Sequence, residues 1–224
     1  MTDRKPIVAI DGPVGSGKTS SAKKAAKALD FTYVDTGAMY RAVTVEVLAR
    51  GIDPADEKSV DGIVDEITIR LVSGDGAQKT LLNEVDVSER IRDRDVTAAV
   101  SAVSAMKSVR DRMTALQRSY GKDGGIVMEG RDIATVVFPD AEYKIYVDAT
   151  VEVRAGRRYK ELQAKGVAIE LDTLIEEVKT RDRMNSERDI APLKKAPDAI
   201  VLDTSGMSLT EQVQAIVDIV RGDS

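Results

Sequence analysis

The chain has 224 residues, 42% hydrophobic and 32% charged, enough for one sizeable core in a globular protein. It contains no histidine and no cysteine, which excludes a Ser-His-Asp triad, a thiolate nucleophile, a His/Cys zinc site, an iron–sulfur cluster and any disulfide. A formal charge of -5 argues against a protein that coats nucleic acid, and without a secretory leader or a membrane-length apolar stretch the expectation is a cytoplasmic protein with no membrane partner.

Residues Ile7–Ile10 form a short apolar run ending in Asp11-Gly12, the pattern of a strand buried on both faces. A glycine-rich turn follows, and Lys18–Leu29 is built from good helix formers with Ala22, Ala25, Ala26 and Leu29 on one stripe. Phe31–Val34 reads as a second strand, and Ala38–Ala49 as a helix closed by Gly51 in the left-handed position. The stretch Ile67–Val72 and Thr80–Leu82 breaks this rhythm and predicts two strands joined through Gly74-Asp75-Gly76, a small antiparallel insertion. From about Asp95 to Gln117, apolar residues from Val96 to Leu116 recur at helical spacing. Within that stretch Ser108-Val-Arg-Asp111 fits a capping box, which predicts two helices meeting near Met106-Lys107. Ile126–Met128, Tyr143–Val147 and Ala199–Leu202 are further strands, and Ser208-Leu-Thr-Glu211 fits a second capping box opening a helix through about Val220. Strands alternating with helices predict a parallel sheet between helix layers.

Gly12-Pro13-Val14-Gly15-Ser16-Gly17-Lys18-Thr19 matches G-x-x-x-x-G-K-[ST], a loop whose backbone N–H groups cradle phosphates at a helix N-terminus. Lys18 is expected to reach the outer phosphates, and the Thr19 hydroxyl, rather than that of Ser20, to hold Mg²⁺. The loop therefore predicts a nucleoside triphosphate site. No Asn/Thr-Lys-x-Asp element is present to read guanine. Ile126–Glu129 resembles the apolar strand and carboxylate of an ATP-driven motor, but the arginines that follow favour phosphoryl transfer to a small molecule.

Such transfer depends on holding two phosphate-bearing partners in line and neutralising the moving charge, a task suited to the planar arginine fork. Arg154, Arg157 and Arg158 fall at i, i+3 and i+4 on one face of the helix predicted after Asp148-Ala-Thr150. Arg181 and Arg188, seven apart, share a face if the helix starting near Asp172 continues that far. Between them Gln163-Ala-Lys-Gly-Val-Ala168 is a candidate lid loop. Gly130-Arg131-Asp132 and Asp35-Thr36-Gly-Ala-Met-Tyr40-Arg41 each follow a strand at the carboxyl edge of the sheet, where ligands of open α/β folds bind.

Taken together, Asp35–Arg41, Gly130–Pro139, Asp148-Ala-Thr150 with Arg157-Arg158, and Ile190-Ala-Pro-Leu193 resemble, in that order, the motifs of the bacterial cytidylate kinases, over about residues 7–220. The resemblance implies transfer of a phosphoryl group from ATP to CMP or dCMP. It implies that Arg41 and Arg131 hold the CMP phosphate, and that Thr36, Ser101, Arg110, Asp132 and Arg188 line the cytosine pocket, with Tyr40 beside them. Lys18, Arg131, Arg154, Arg158 and Arg181 are the expected catalytic set, with Gly12–Ser20 and Arg157 on the ATP side. Ser101 and Arg110 are nine residues apart, about 180° around one continuous helix, so a shared target requires the break expected between them. Two positions depart from the family pattern: Thr36 replaces a serine, and Asn185 stands where an aspartate usually meets the sugar beside Arg181. The second leaves the balance between CMP and dCMP open.

The expected architecture is a P-loop kinase fold with a five-stranded parallel sheet flanked by helices. Its core comprises residues 1–62, 92–153 and 190–224, with an antiparallel insertion that binds the nucleoside monophosphate at about 63–91 and a helical lid at about 154–189. A monomer is expected. Two other readings stay open: a kinase of this architecture acting on UMP, AMP or a non-nucleotide acceptor, and a nucleotide-binding switch with no acceptor.

Overall fold

Val8, Ala9 and Ile10 are wholly shielded from solvent in the computed structural model, as an apolar run at the centre of a parallel sheet must be. The structure describes residues 4–73, 78–164 and 166–222, so the turn expected at Gly74-Asp75-Gly76 and Lys165 of the candidate lid loop lie outside the described residues. The first half of the chain runs β1 (Lys5–Asp11), α1 (Lys18–Leu29), β2 (Thr32–Asp35), α2 (Thr36–Ala49), α3 (Glu57–Val64), β3 (Ile69–Ser73), β4 (Gln78–Leu82), β5 (Val85–Asp86), α4 (Arg94–Val103) and α5 (Lys107–Tyr120). It continues as β6 (Gly124–Gly130), β7 (Tyr143–Asp148), α6 (Val151–Ala164), α7 (Leu171–Ser186), β8 (Ile200–Asp203) and α8 (Leu209–Arg221). Packing groups these elements into two units, residues 1–33 with 123–224, and residues 34–122.

Among the described residues the strands form a five-stranded sheet, ordered β2-β6-β1-β7-β8, and a three-stranded one, β3-β4-β5. β1 pairs in parallel with β6 and β7, and β7 with β8. The small sheet is antiparallel. Register sets Ile10 beside Glu129, and Asp11 between Gly130 and Tyr146, so the phosphate loop and the Gly130-Arg131-Asp132 turn leave the sheet side by side at its carboxyl edge. The first unit buries Val8 and Ile10 with Ala22, Ala25 and Ala26 of α1, Val127, Ile145, Val147, and Ile216 of α8. Within it α6 and α7 share a smaller core of Ala155, Leu174 and Val178. The second unit packs Met39, Val43 and Val47 of α2 with Val60, Val96, Val103, Val109 and Met113 from its other helices. No helix among the described residues is long and apolar enough to cross a membrane.

Several expectations are corrected by local hydrogen bonding. α2 starts two residues early because the Asp35 carboxylate caps it, accepting from the Ala38 N–H at 3.0 Å. α3 was not foreseen; Asp56 caps it by accepting from the Ser59 N–H at 3.2 Å. The break near residue 106 is present, but not for the expected reason. α5 begins from an N-cap at Met106 with no side-chain cap, and Ser108, already inside the helix, donates its hydroxyl to the Asp61 carboxylate instead. A π-helical turn, Ile133–Val137, follows the Arg131-Asp132 turn. α7 ends at Ser186, so Arg188 lies beyond it and shares no helix face with Arg181. The Asn185 carbonyl, which a longer helix would offer to residue 189, accepts the Leu193 N–H at 2.8 Å.

The capping box at Ser208 does form: its hydroxyl accepts from the Glu211 N–H, and the Glu211 carboxylate accepts from the Ser208 N–H. Replacing Ser208 by Ala is expected to cost about 1 kcal/mol in chemical denaturation. Ser108→Ala removes no helix cap, only the hydroxyl's bond to the Asp61 carboxylate, and is expected to cost about 0.5–1.5 kcal/mol.

Candidate active site

The phosphate loop leaves β1 at Asp11 and enters α1 at Lys18, with Gly12, Gly15 and Gly17 all at positive φ. At Gly12 a Cβ would overlap the Val147 carbonyl oxygen, so glycine is required there for a steric reason as well as a conformational one. The Lys18 ammonium donates to the Pro13 carbonyl at 2.7 Å and approaches the Ser16 hydroxyl at 3.5 Å. Thr19 and Ser20, on the first turn of α1, are exposed, which leaves the Thr19 hydroxyl open to solvent.

Lys18 is only 4% exposed, and burial lowers its pKa to about 7, with the positive charges of Arg131 and Arg154 acting in the same direction. Glu129 and Asp11 oppose the shift without cancelling it. Arg181 is held down in the same way, by burial first and then by Arg131 and Arg158. Lys18, Arg131, Arg154, Arg158 and Arg181 thus form a linked set of cations in the first unit whose mutual repulsion falls if an anion joins them. Within the set, the five differ in what they touch. Arg158 is exposed and meets Glu161 at 3.2 Å, and the Arg131 guanidinium donates to the Gly130 carbonyl at 3.1 Å. Arg154 is buried and committed to protein: it donates to the Ala149 carbonyl (2.9 Å) and the Val14 carbonyl (3.1 Å), and pairs with Asp182 at 2.6 Å. Arg157 donates to the Thr204 carbonyl at 2.6 Å and lies 3.5 Å from the Gly15 carbonyl.

Beyond α7, Arg188 turns its guanidinium onto the Ala191 carbonyl and stands 3.8 Å from the buried Asp132 carboxylate. Ala191 is at φ +48, a conformation that aims this carbonyl back at the arginine. Asn185 donates its amide N–H to the Arg181 carbonyl at 2.8 Å, so Arg181 and Asn185 are neighbours on α7.

In the second unit, Thr36 opens α2 and is buried. Arg41, one turn on, donates to the Ile91 carbonyl (3.0 Å) and the Thr97 hydroxyl (2.9 Å), tying α2 to the start of α4. Arg110 is buried over the Tyr40 ring, 5.3 Å from its centroid, and donates to the Ser104 carbonyl at the end of α4 at 3.0 Å. Ser101 is half-buried on α4, the helix before the break, and Arg110 on α5, the helix after it.

Three further residues of the first unit were not singled out as site residues from the sequence. The Asp11 carboxylate accepts the N–H groups of Ile133 (2.9 Å) and Ala134 (2.8 Å). Glu129, weighed above only as a motor-type carboxylate, is buried, accepts the Tyr33 hydroxyl at 2.6 Å and faces Lys18 electrostatically. The Thr204 hydroxyl joins the Ser16 carbonyl (2.8 Å) to the Asp148 carbonyl (2.9 Å). For Asp11 and Glu129 the available signal was their place at the end of an apolar strand; Thr204 carries none.

A family model described as Cytidylate kinase matches residues 8–222. Among curated relatives, the cytidylate kinase of Bacillus pumilus (strain SAFR-032) is 46% identical over 215 residues, covering 96% of each chain. That of Carboxydothermus hydrogenoformans is 46% identical over 213 residues, 95% of this chain and 96% of the relative. Among solved structures, a shikimate kinase from Bacteroides thetaiotaomicron is similar at a TM-score of 0.51 and 11% identity, covering 96% of this chain and 98% of that one. A shikimate kinase from Acinetobacter baumannii gives 0.50 and 13%, with 98% and 95% covered. These last two show a shared P-loop kinase fold.

The depressed Lys18 pKa fixes the sign of a pH effect. Between about 7 and its ordinary value of 10.5 the unfolded chain holds a proton on this lysine that the folded chain has released, so its contribution to stability rises with pH across that window. Lys18→Met is therefore expected to stabilise the ligand-free protein at pH 7 and below, with an advantage that shrinks toward pH 10, measured by thermal or chemical denaturation of both proteins.

Proposed function

The chain belongs to the cytidylate kinase family and is a nucleoside monophosphate kinase, and we propose that it transfers the γ-phosphoryl group of ATP to CMP and dCMP. The observation that carries this reading is the buried Lys18 ammonium at a phosphate loop, whose charge is disfavoured by burial first and then by Arg131 and Arg154. Such an arrangement costs stability until phosphate arrives, and it matches a reaction that asks the protein mainly for positioning and charge.

On the ATP side, the backbone N–H groups of the Gly12–Ser20 loop and the positive end of α1 hold the phosphates, with Arg157 beside the Gly15 carbonyl and Thr204 on the Ser16 carbonyl. Among the described residues no group of three or more acidic side chains is arranged for a metal ion. An exposed Thr19 hydroxyl with phosphate oxygens and water suits Mg²⁺, which takes few protein ligands beside substrate phosphates. Held by the Thr19 hydroxyl, such an ion would supply neutralisation of phosphate charge. Lys18 and Arg131, with Arg158 and Arg181 from α6 and α7, bear on the transferred group, and its three equatorial oxygens are what their forks neutralise.

On the acceptor side, Arg41 and Arg131 bind the CMP phosphate. Thr36, Ser101, Arg110, Asp132 and Arg188 read the base, and Tyr40 supports Arg110 from beneath. Cytosine offers an amino donor beside two acceptors, which suits a carboxylate with guanidinium groups around it. The Arg188–Asp132 pair supports this assignment, because it sets a buried acceptor beside a guanidinium. Asn185, with Arg181, meets the sugar; its amide oxygen accepts one hydrogen bond and carries no charge, consistent with use of both CMP and dCMP. The enzyme is taken to act as a monomer.

A coupled ADP-release assay across CMP, dCMP, UMP, AMP and GMP is expected to show acceptor-dependent turnover with the cytosine nucleotides. No acceptor dependence would point to a nucleotide switch, and preference for another base to a different kinase. Uracil places a carbonyl where cytosine has its amino group, and an acceptor left facing it costs about 1–3 kcal/mol, or roughly 5- to 150-fold. Asp132→Ala is accordingly expected to lower kcat/KM for CMP and to narrow the CMP-to-UMP ratio. Lys18→Ala is expected to abolish turnover while calorimetry still detects CMP binding; equal loss of CMP binding contradicts its role on the ATP side.

A further inference from the structure

Asp11 is 1% exposed at the last position of β1, immediately before the phosphate loop. Its two carboxylate oxygens are divided between two successive amides, Ile133 at 2.9 Å on Oδ1 and Ala134 at 2.8 Å on Oδ2. Those amides open the π-helical turn directly after Arg131-Asp132, where helical bonding supplies no acceptor for them. One side chain at the base of the phosphate loop therefore fixes the backbone that aims Arg131 and Asp132.

We propose that Asp11 is a positioning residue for phosphoryl transfer, whose ionised carboxylate clamps the turn bearing Arg131 and Asp132 to the base of the phosphate loop and whose protonation loosens it. The inference rests on the kinase reading above. An ionised carboxylate accepts at both oxygens; a protonated one is neutral and has a hydroxyl at one of them, so both amides lose the charged acceptor and one of them faces the hydroxyl. The groups facing Asp11 are Asp132 just before the turn, Lys18 from α1 and Tyr146 across the β1–β7 pair. Burial raises the Asp11 pKa to about 6, above its ordinary 3.8; the two amides and Lys18 pull it down and Asp132 adds to the rise. Between those values the folded chain holds a proton that the unfolded chain has released, so this residue's contribution to stability grows as pH falls through 6.

Two measurements test this. The first uses the ligand-free wild-type protein and does not depend on its activity: NMR titration of the Ile133 and Ala134 amide protons from pH 8 to pH 5. Both are expected to shift together with one midpoint near 6, moving upfield as the carboxylate is lost. Amides that do not move, or that follow a midpoint near 4, overturn the clamp. The second compares kcat/KM for CMP, at saturating ATP, between wild type and Asp11→Asn. The titrating phosphates of the substrates are common to both proteins and leave the ratio unaffected. The ratio is expected to be about 10-fold or more at pH 8, since an amide is left without its acceptor, and to fall toward unity at pH 5. A ratio that is flat with pH overturns the proposal. If Asp11→Asn does not fold, the amide titration decides alone. Absence of CMP turnover in the acceptor panel defeats the kinase reading while leaving the amide result standing.

Discussion

Positive charge placed out of water, with more lost in hydration than the neighbouring carboxylates return, is the constraint on which the Lys18 site is built. A lysine with its ammonium buried at the mouth of a glycine loop loses hydration that the neighbouring Pro13 carbonyl only partly replaces, and the arginines nearby deepen the deficit. Folding tolerates this because the sheet beneath is apolar and continuous, with Val8, Ala9, Ile10, Val127 and Ile145 contributing burial that does not depend on the site. The site is, in this sense, destabilised in the direction of its ligand. On the proposed function, a triphosphate entering there would bring negative charge to the buried lysine, and the binding energy so released would be available for holding the reacting groups in line.

The parallel sheet converts this local need into a defined geometry. Because β1, β6 and β7 run the same way, their last residues fall on one edge, and the register puts Asp11, Gly130 and Tyr146 in a row. Asp11, Lys18, Glu129 and Arg131 thus come from two chain segments more than a hundred positions apart and still act on one another. The backbones of Asp11 and Glu129 are set by the sheet, while Lys18 follows the phosphate loop and Arg131 the turn that leave its edge. α6 and α7 are joined to this edge through Arg154, whose three partners are the Val14 and Ala149 carbonyls and Asp182. That arginine holds the base of the helices that carry Arg158 and Arg181, and its own guanidinium is occupied in doing so.

What the sequence made legible follows from what periodicity and local motifs can encode. α1 was readable to the residue because a glycine loop with Lys18 starts it and its alanines share one face. The Ser208-x-x-Glu211 box was readable because it is closed within four residues. The same four-residue pattern at Ser108 misled, since Asp61, 47 positions away, takes the hydroxyl in the folded chain. The end of α7 was not readable, because it depends on the Leu193 N–H reaching back to Asn185 and on Ala191 adopting a left-handed conformation without being glycine. For the candidate site, the residue types in the phosphate loop and in Gly130-Arg131-Asp132 were visible as motifs. The partners that fix them, Asp11 for the turn and Thr204 for the loop, were not, since a single Asp or Thr at a strand end has no pattern around it.

The account depends most on Lys18 being a cation that is stabilised only when phosphate binds. Calorimetric titration of ATP into the protein at pH 8, repeated in buffers of different ionisation enthalpy, measures the protons exchanged on binding. The account predicts net proton uptake in wild type that disappears in Lys18→Arg, because the guanidinium is charged throughout. Binding of ATP with no proton uptake by the wild-type protein would contradict it.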